Sequence, residues 1–290
     1  MNNIYKPIFI IGVGRSGSTA LLKTLSQHKN LAWMSELCNK YPDKPYLNQY
    51  MLQAVDVPFF GKIIQRKFIP GECYLFWSYY SKGFRHACRD LVNDDITHKE
   101  KERLRSVFSQ LLTKRRTRLL AKNTGWPRIG YLHTLFPDTK FIHLVRDGRA
   151  VANSLLNTDF WWGWRGPQNW RFGELTTAQR DLWEKSGKSF VALAGIEWNI
   201  ILDAVTAARQ DLKGDNFLEI KYEDLCSTPI EIFREIFQFG ELDWTPHFEQ
   251  TIKAYSFTNA NEKWRSELTD KQQRILSDVT KNFLYRYEYL

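Results

Sequence analysis

Cysteine is scarce in this chain, and what there is makes no framework. Cys38, Cys73, Cys88 and Cys226 contain no CxxC pair, so reduced structural thiols and a cytoplasmic location are the expectation. No apolar run approaches the ~20 residues that cross a bilayer. The opening "MNNIYKPIFII" enters a strand pattern without the basic n-region and apolar core of a signal peptide. Internal repeats, low-complexity tracts and Pro/Gly/Ser linkers are also missing, so one domain over residues 1–290 is expected. Acidic residues run short as well: 32 Asp and Glu against 41 Lys and Arg leave a net charge of +9. Such a surplus suits an anionic ligand, an acidic acceptor or a negatively charged surface. No RRM, KH or helix-turn-helix signature accompanies it, and nucleic acid is not expected as a partner.

What is present is an alternation of strands and helices. "KPIFIIGV" reads as a buried strand and "STALLKTLSQH" as the helix after it. "THKE", Thr97 to Glu100, reads as a capping box that opens a basic helix through "KERLRSVFSQLLTK". "TRLLAK" and "TKFIHLV" read as strands around the helix "IGYLHTLFP", and "DGRAVANSLLN" as the next helix. Later come the helix "FVALAGIEWNIILDAVTAARQ", the strand "FLEIKY", the helix "IEIFREIFQF" and a last helix capped by "TDKQ". Strands separated by helices imply an α/β fold, with a central parallel sheet flanked by helices in a P-loop-like, three-layer arrangement. Ligands on such sheets collect at the carboxyl ends of the strands.

The first of those ends carries "GVGRSGST", Gly12 to Thr19. The Walker pattern is Gly, four residues, Gly, Lys, then Ser or Thr. Gly12, Gly17 and Thr19 stand in place, but position 18 is Ser, and Arg15 sits three residues earlier. A small-residue turn between strand and helix still aims backbone N–H groups and a helix N-terminus at one spot, which attracts phosphate or sulfate. Ser16, Ser18 and Thr19 add hydroxyl donors. Without the lysine, and without an apolar strand ending in a Walker-B Asp, a nucleotide lacking a γ-phosphate and handled without metal fits better than ATP.

"FIHLVRDGRAVANSLL" repeats the logic: Arg146 ends a strand, and Ser154 follows eight residues later, about two turns into the next helix. An arginine there can fork onto a phosphate while the hydroxyl adds a bond. Two anion sites at strand ends suit one ligand with phosphates at both ends.

These two stretches together resemble the 5′-phosphosulfate and 3′-phosphate motifs of sulfotransferases that use 3′-phosphoadenosine 5′-phosphosulfate (PAPS). The likeness runs from residue 8 nearly to the end, through "EIKYEDL", "NEKWRSEL" and "LYRYEYL", and is nearest the bacterial branch related to protein-tyrosine sulfotransferases. It implies that Arg15, Ser16, Gly17, Ser18 and Thr19 grip the 5′-phosphosulfate, and that Arg146 and Ser154 hold the 3′-phosphate, which ATP lacks. It further implies nucleotide contacts by Tyr222 and Lys263, with Ser256 a candidate beside the sulfate. The product would be adenosine 3′,5′-bisphosphate, with no metal.

Sulfuryl transfer to a hydroxyl needs a base on the acceptor proton and positive charge near the leaving oxygen. Glu36 follows Arg15 by 21 residues, a distance matching the base glutamate of the tyrosine-sulfotransferase relatives. Lying after "LAWM", it would be partly desolvated, with a raised pKa. His133 and His143 are rival bases, ranked lower. Lys122, at the end of "RLLAK", resembles the family lysine that stabilises charge during transfer. The acceptor is not legible: a glycan, glycolipid, tyrosyl peptide or small metabolite would each suit.

The segment from Phe160 to Phe172 carries Trp161, Trp162, Trp164 and Trp170 with Arg165 and Arg171. It reads equally as an acceptor-stacking surface, a lid or a packed aromatic cluster, and it also suits peripheral contact with a membrane interface. Two alternatives to a sulfotransferase stand beside it: a P-loop phosphotransferase, and a non-catalytic polyanion-binding protein.

Overall fold

Short segments rich in apolar residues form five strands: β1 (Ile8–Gly12), β2 (Leu31–Trp33), β3 (Arg118–Thr124), β4 (Lys140–Val145) and β5 (Phe217–Lys221). The structure, a computed structural model, describes residues 4–84, 88–212 and 214–290. All neighbouring strands are parallel, in the order β2-β3-β1-β4-β5, and helices cover both faces. The three-layer α/β fold with a central parallel sheet is thus present.

Alternation along each strand assigns its side chains to one face or the other. Phe9, Ile11, Leu119 and Ala121 pack with Phe76, Trp77 and Phe108 on one face. Ile8, Ile10, Leu120 and Ile142 pack on the other, with Leu21, Leu25, Phe233 and Phe237 from the helices Ser18–Leu25 and Pro229–Gly240. A third cluster joins the helices Gly148–Leu156, Phe190–Arg209 and Asp270–Arg286 through Val151, Trp198 and Leu284.

Register sets the site. Gly12 lies opposite Thr124, and Val145 opposite Lys221, so these strands finish together and the turns beyond them crowd one edge. Gly12, at φ 145°, could not carry a side chain, because a Cβ there would stand 2.6 Å from the Leu144 carbonyl oxygen.

Several local expectations need adjusting. β3 continues past Lys122 to Thr124, which puts the lysine inside the strand rather than at its end. The basic helix spans His98–Ser109, and only half of the expected capping box forms. Thr97 accepts from the Glu100 N–H at 3.2 Å, whereas the Glu100 carboxylate accepts from the Tyr131 hydroxyl at 3.0 Å. At the last helix both halves form between Thr269 and Gln272. The helix Phe190–Arg209 is also long and apolar enough to cross a membrane, with mean hydropathy 1.5 in its most apolar window, contrary to the sequence expectation. Two-thirds of that window, 67%, is buried in the fold, as in a core helix.

Candidate active site

The strand ends open onto a cavity of about 970 Å³ lined by Gly14, Arg15, Gly17, Ser18, Thr19, Lys122, Arg146 and Ser154. Residues from four separate stretches of sequence thus share one wall. Gly17 turns the chain into its helix with φ 89°, and a Cβ there would meet the Tyr222 ring at 2.4 Å. Tyr222 is therefore a floor packed directly under the loop. Its hydroxyl donates to the Thr258 carbonyl at 2.6 Å.

The two candidate anion sites are physically joined. Arg15 Nε donates to Ser154 Oγ at 2.9 Å, and Arg146 Nη1 donates to the Arg15 carbonyl at 2.8 Å. Arg146 is nearly buried, lies 4.4 Å over the Tyr222 ring, and donates through Nε to Asn261 Oδ1 at 2.8 Å. Burial lowers the pKa of its guanidinium despite Tyr222 and Glu223 nearby. Arginine keeps its charge under such conditions. Among the described residues Ser16 Oγ is buried without a hydrogen-bond partner, an orphaned group inside a turn suited to receive an anion.

Lys122 shares the strand face of Ile10 and Leu120, which points it at the helix Ser18–Leu25. Its Nζ donates to Thr19 Oγ1 at 2.9 Å and pairs with Glu72 Oε1 at 2.8 Å. Thr124 Oγ1 donates to the same Glu72 oxygen at 2.9 Å. Burial pushes the Glu72 carboxyl up, but the Lys122 charge and hydrogen bonds from Lys122, Tyr74 and Thr124 outweigh it, and the net shift is down.

Glu36 stands elsewhere. It is the first residue of the short helix Glu36–Lys40, exposed, with Asn39 Nδ2 donating to its oxygens at 3.3 and 3.2 Å. Its position after the Ser35 cap turns it out of the apolar "LAWM" environment, so the expected desolvation is absent. It lines a second cavity of about 490 Å³, which shares Glu72, Tyr74, Thr124 and Arg171 with the larger one. His143 is fully buried in β4 with Nδ1 at 2.9 Å from Glu219. His133 sits half-buried on the helix Ile129–Leu135, its pKa lowered by burial. Neither histidine lines either cavity. Lys263 and Ser256 are both exposed and likewise outside that lining.

The aromatic segment divides in two. Trp161, Trp170 and Phe172 are buried and line the large cavity, while Phe160, Trp162 and Trp164 are exposed. Arg165 lies 5.0 Å from the Trp162 ring centre and 4.7 Å from that of Trp164. Sequence reasoning missed Glu72, Asn261 and Glu197, which also reach this region. No motif flags them, since tertiary packing alone brings them in.

A parallel sheet whose first turn is a glycine-rich cradle, joined to a second arginine at the next strand end, is an α/β protein of P-loop-like build with a candidate anion site. Residues 7–246 match the sulfotransferase family, and the chain belongs to it. Nodulation protein NoeE of Sinorhizobium fredii is 24% identical over 292 positions, covering 93% of this chain and 62% of NoeE. The protein-tyrosine sulfotransferase of Drosophila melanogaster is 26% identical over 42% of this chain and 21% of its own length. Carbohydrate sulfotransferase 2 of Mus musculus is 27% identical over 66% of this chain and 43% of its own. The chain therefore spans less than two-thirds of each of these relatives. Among solved structures, sulfotransferase STF9 from Mycobacterium avium superposes with TM-score 0.59 at 16% identity, covering 98% of this chain and 77% of that one. The sulfotransferase domain of the curacin biosynthetic pathway gives 0.53 at 14% identity, covering 96% and 98%. Both share the fold.

Proposed function

We propose that this chain is a single sulfotransferase domain that moves a sulfuryl group from PAPS to an acceptor hydroxyl. One observation carries the reading: the Arg15–Ser154 and Arg146–Arg15 hydrogen bonds tie two anion-binding motifs, 139 and 131 residues apart in sequence, into one cavity wall. A donor with charge at both ends suits that wall better than one with charge at a single end. The Ser16 hydroxyl, the loop N–H groups, Arg15 and Thr19 would hold the phosphosulfate. Arg146 and Ser154 would hold the 3′-phosphate, with Tyr222 beneath.

In the transfer the acceptor oxygen bonds to sulfur as the sulfur–oxygen bond to the 5′-phosphate breaks. The electron pair leaves with adenosine 3′,5′-bisphosphate, whose new charge Lys122 and Arg15 stabilise. The acceptor proton passes to a carboxylate. Glu36 is the base that the resemblance implies. The 2.8 Å contact of Glu72 with Lys122 favours Glu72 as a second assignment, because it lines the large cavity beside the charge that must move. Metal has no part in this scheme. A cytoplasmic location belongs to the same proposal, supported by four unpaired cysteines. Relatives named for tyrosine and carbohydrate acceptors support a hydroxyl acceptor in general.

Radiolabelled PAPS and a panel of hydroxyl acceptors test this. Transfer of label by the wild type supports it, and transfer lost in Glu36→Gln but kept in Glu72→Gln, or the reverse, names the base. Magnesium-dependent turnover of ATP with no sulfuryl transfer would overturn it.

A further inference from the structure

The aromatic part of the large cavity contains a carboxylate that the proposed transfer does not use. Glu197 lies midway along the apolar helix Phe190–Arg209, 4% exposed, and lines the cavity with Phe160, Trp161, Trp162, Trp170 and Phe172. Its Oε2 accepts from Trp161 Nε1 at 2.8 Å. Among the described residues Oε1 has no hydrogen bond, and Glu197 has no ion pair. Burial raises its carboxyl to about 7, against the nearby Arg171 charge and the Trp161 bond.

Such a group is costly to bury without a full set of partners. An apolar residue would suit this helix better if packing were its only task. The surroundings are also built rather than incidental: a Cβ on Gly163 would stand 2.2 Å from the Trp161 ring, so only glycine lets that indole lie where it does. A carboxylate with a free oxygen beside indole and phenyl faces is the chemistry that holds an ammonium ion.

Charge points the same way. The cavity wall carries Arg15, Lys122, Arg146 and Arg171 against Glu72 and Glu197. A bound phosphosulfate with a 3′-phosphate brings about four negative charges, more than the surplus, so the loaded cavity attracts cations.

We propose that Glu197 and its neighbouring aromatic rings form an acceptor subsite for a cationic ammonium, which makes the acceptor an amino alcohol or an amine-bearing phenol. This rests on the sulfotransferase reading.

The test is calorimetry on protein saturated with adenosine 3′,5′-bisphosphate, using shape-matched pairs: choline against 3,3-dimethylbutan-1-ol, and tyramine against 4-propylphenol. In the wild type the ammonium member of each pair binds about tenfold or more tighter, as a desolvated cation–π and carboxylate contact predicts. Glu197→Gln brings the ratio near one while bisphosphate affinity stays within about twofold. Trp161→Leu, a second variant should the first fold poorly, lowers the ratio by removing an aromatic face. Equal affinities in the wild type, or an unchanged ratio in a folded Glu197→Gln protein, overturn the subsite alone. Failure of the bisphosphate to bind overturns the donor reading, and the subsite with it.

Discussion

Replacing Glu197 by Gln should stabilise the protein, and by an amount that depends on pH. The carboxyl rises from the ordinary 4.5 to about 7 because it is buried, with Arg171 and Trp161 offsetting only part of that cost. A raised acid pKa means that the folded state resists ionisation. The penalty is absent below pH 4.5, grows by about 1.4 kcal/mol per pH unit from there to about 7, and is constant above. Its full size is about 3 kcal/mol. Glutamine keeps the shape and an oxygen for Trp161 Nε1 but carries no charge. Urea denaturation of both proteins at pH 5, 6, 7 and 8 should show their stability difference widening by about 2–3 kcal/mol in favour of the variant. A constant difference across that range, or one that favours the wild type at high pH, would refute the claim that the buried Glu197 charge is only partly compensated.

Three further outcomes follow from the geometry. Gly17→Ala should weaken bisphosphate binding at least tenfold, since its φ of 89° and the 2.4 Å approach to Tyr222 leave no room for a methyl group. Shortening the floor with Tyr222→Ala in the same protein should restore part of the fold's stability, measured by thermal melting, though not the backbone strain. For Glu72 the sign is opposite to that of Glu197. Its folded pKa is depressed, so the advantage of wild type over Glu72→Gln should be full above pH 4.5 and fade as acid protonates the carboxylate, read by denaturation at several pH values. Label transfer from PAPS should persist in a strong chelator; abolition by chelation and recovery on adding magnesium would count against metal-free transfer.

The central scaffold was legible because its signals are local. β1 is a continuous apolar run and β4 is apolar apart from Lys140 and His143, and the turn after β1 needs glycines that the sequence displays. β2 was not legible, being three residues, Leu31–Trp33, too short for a period to register. The helices Tyr46–Val55 and Tyr74–Tyr80 went unread for a related reason: their apolar positions follow neighbouring elements rather than a clear stripe. At the site, Arg15, Thr19, Arg146 and Ser154 could be read as candidates because each lies in the turn or the helix that follows a strand, and the structure brings all four to one cavity wall. Tyr222 was read only from the resemblance. Glu72 reaches Lys122 from a loop 50 residues away in sequence, and Asn261 reaches Arg146 across 115 residues. Those contacts depend on tertiary packing that no spacing encodes. Glu197 was hidden differently, as one of two carboxylates, with Asp203, in a mostly apolar helix.

The account depends most on Arg146 gripping a phosphate that AMP does not have. Calorimetry should find adenosine 3′,5′-bisphosphate bound far more tightly than AMP by the wild type. Arg146→Ala should remove about 2–3 kcal/mol of that preference, the range for a charged hydrogen-bonding fork, while leaving AMP affinity nearly the same. Equal affinity for the two nucleotides, or a preference that survives the substitution intact, contradicts the account.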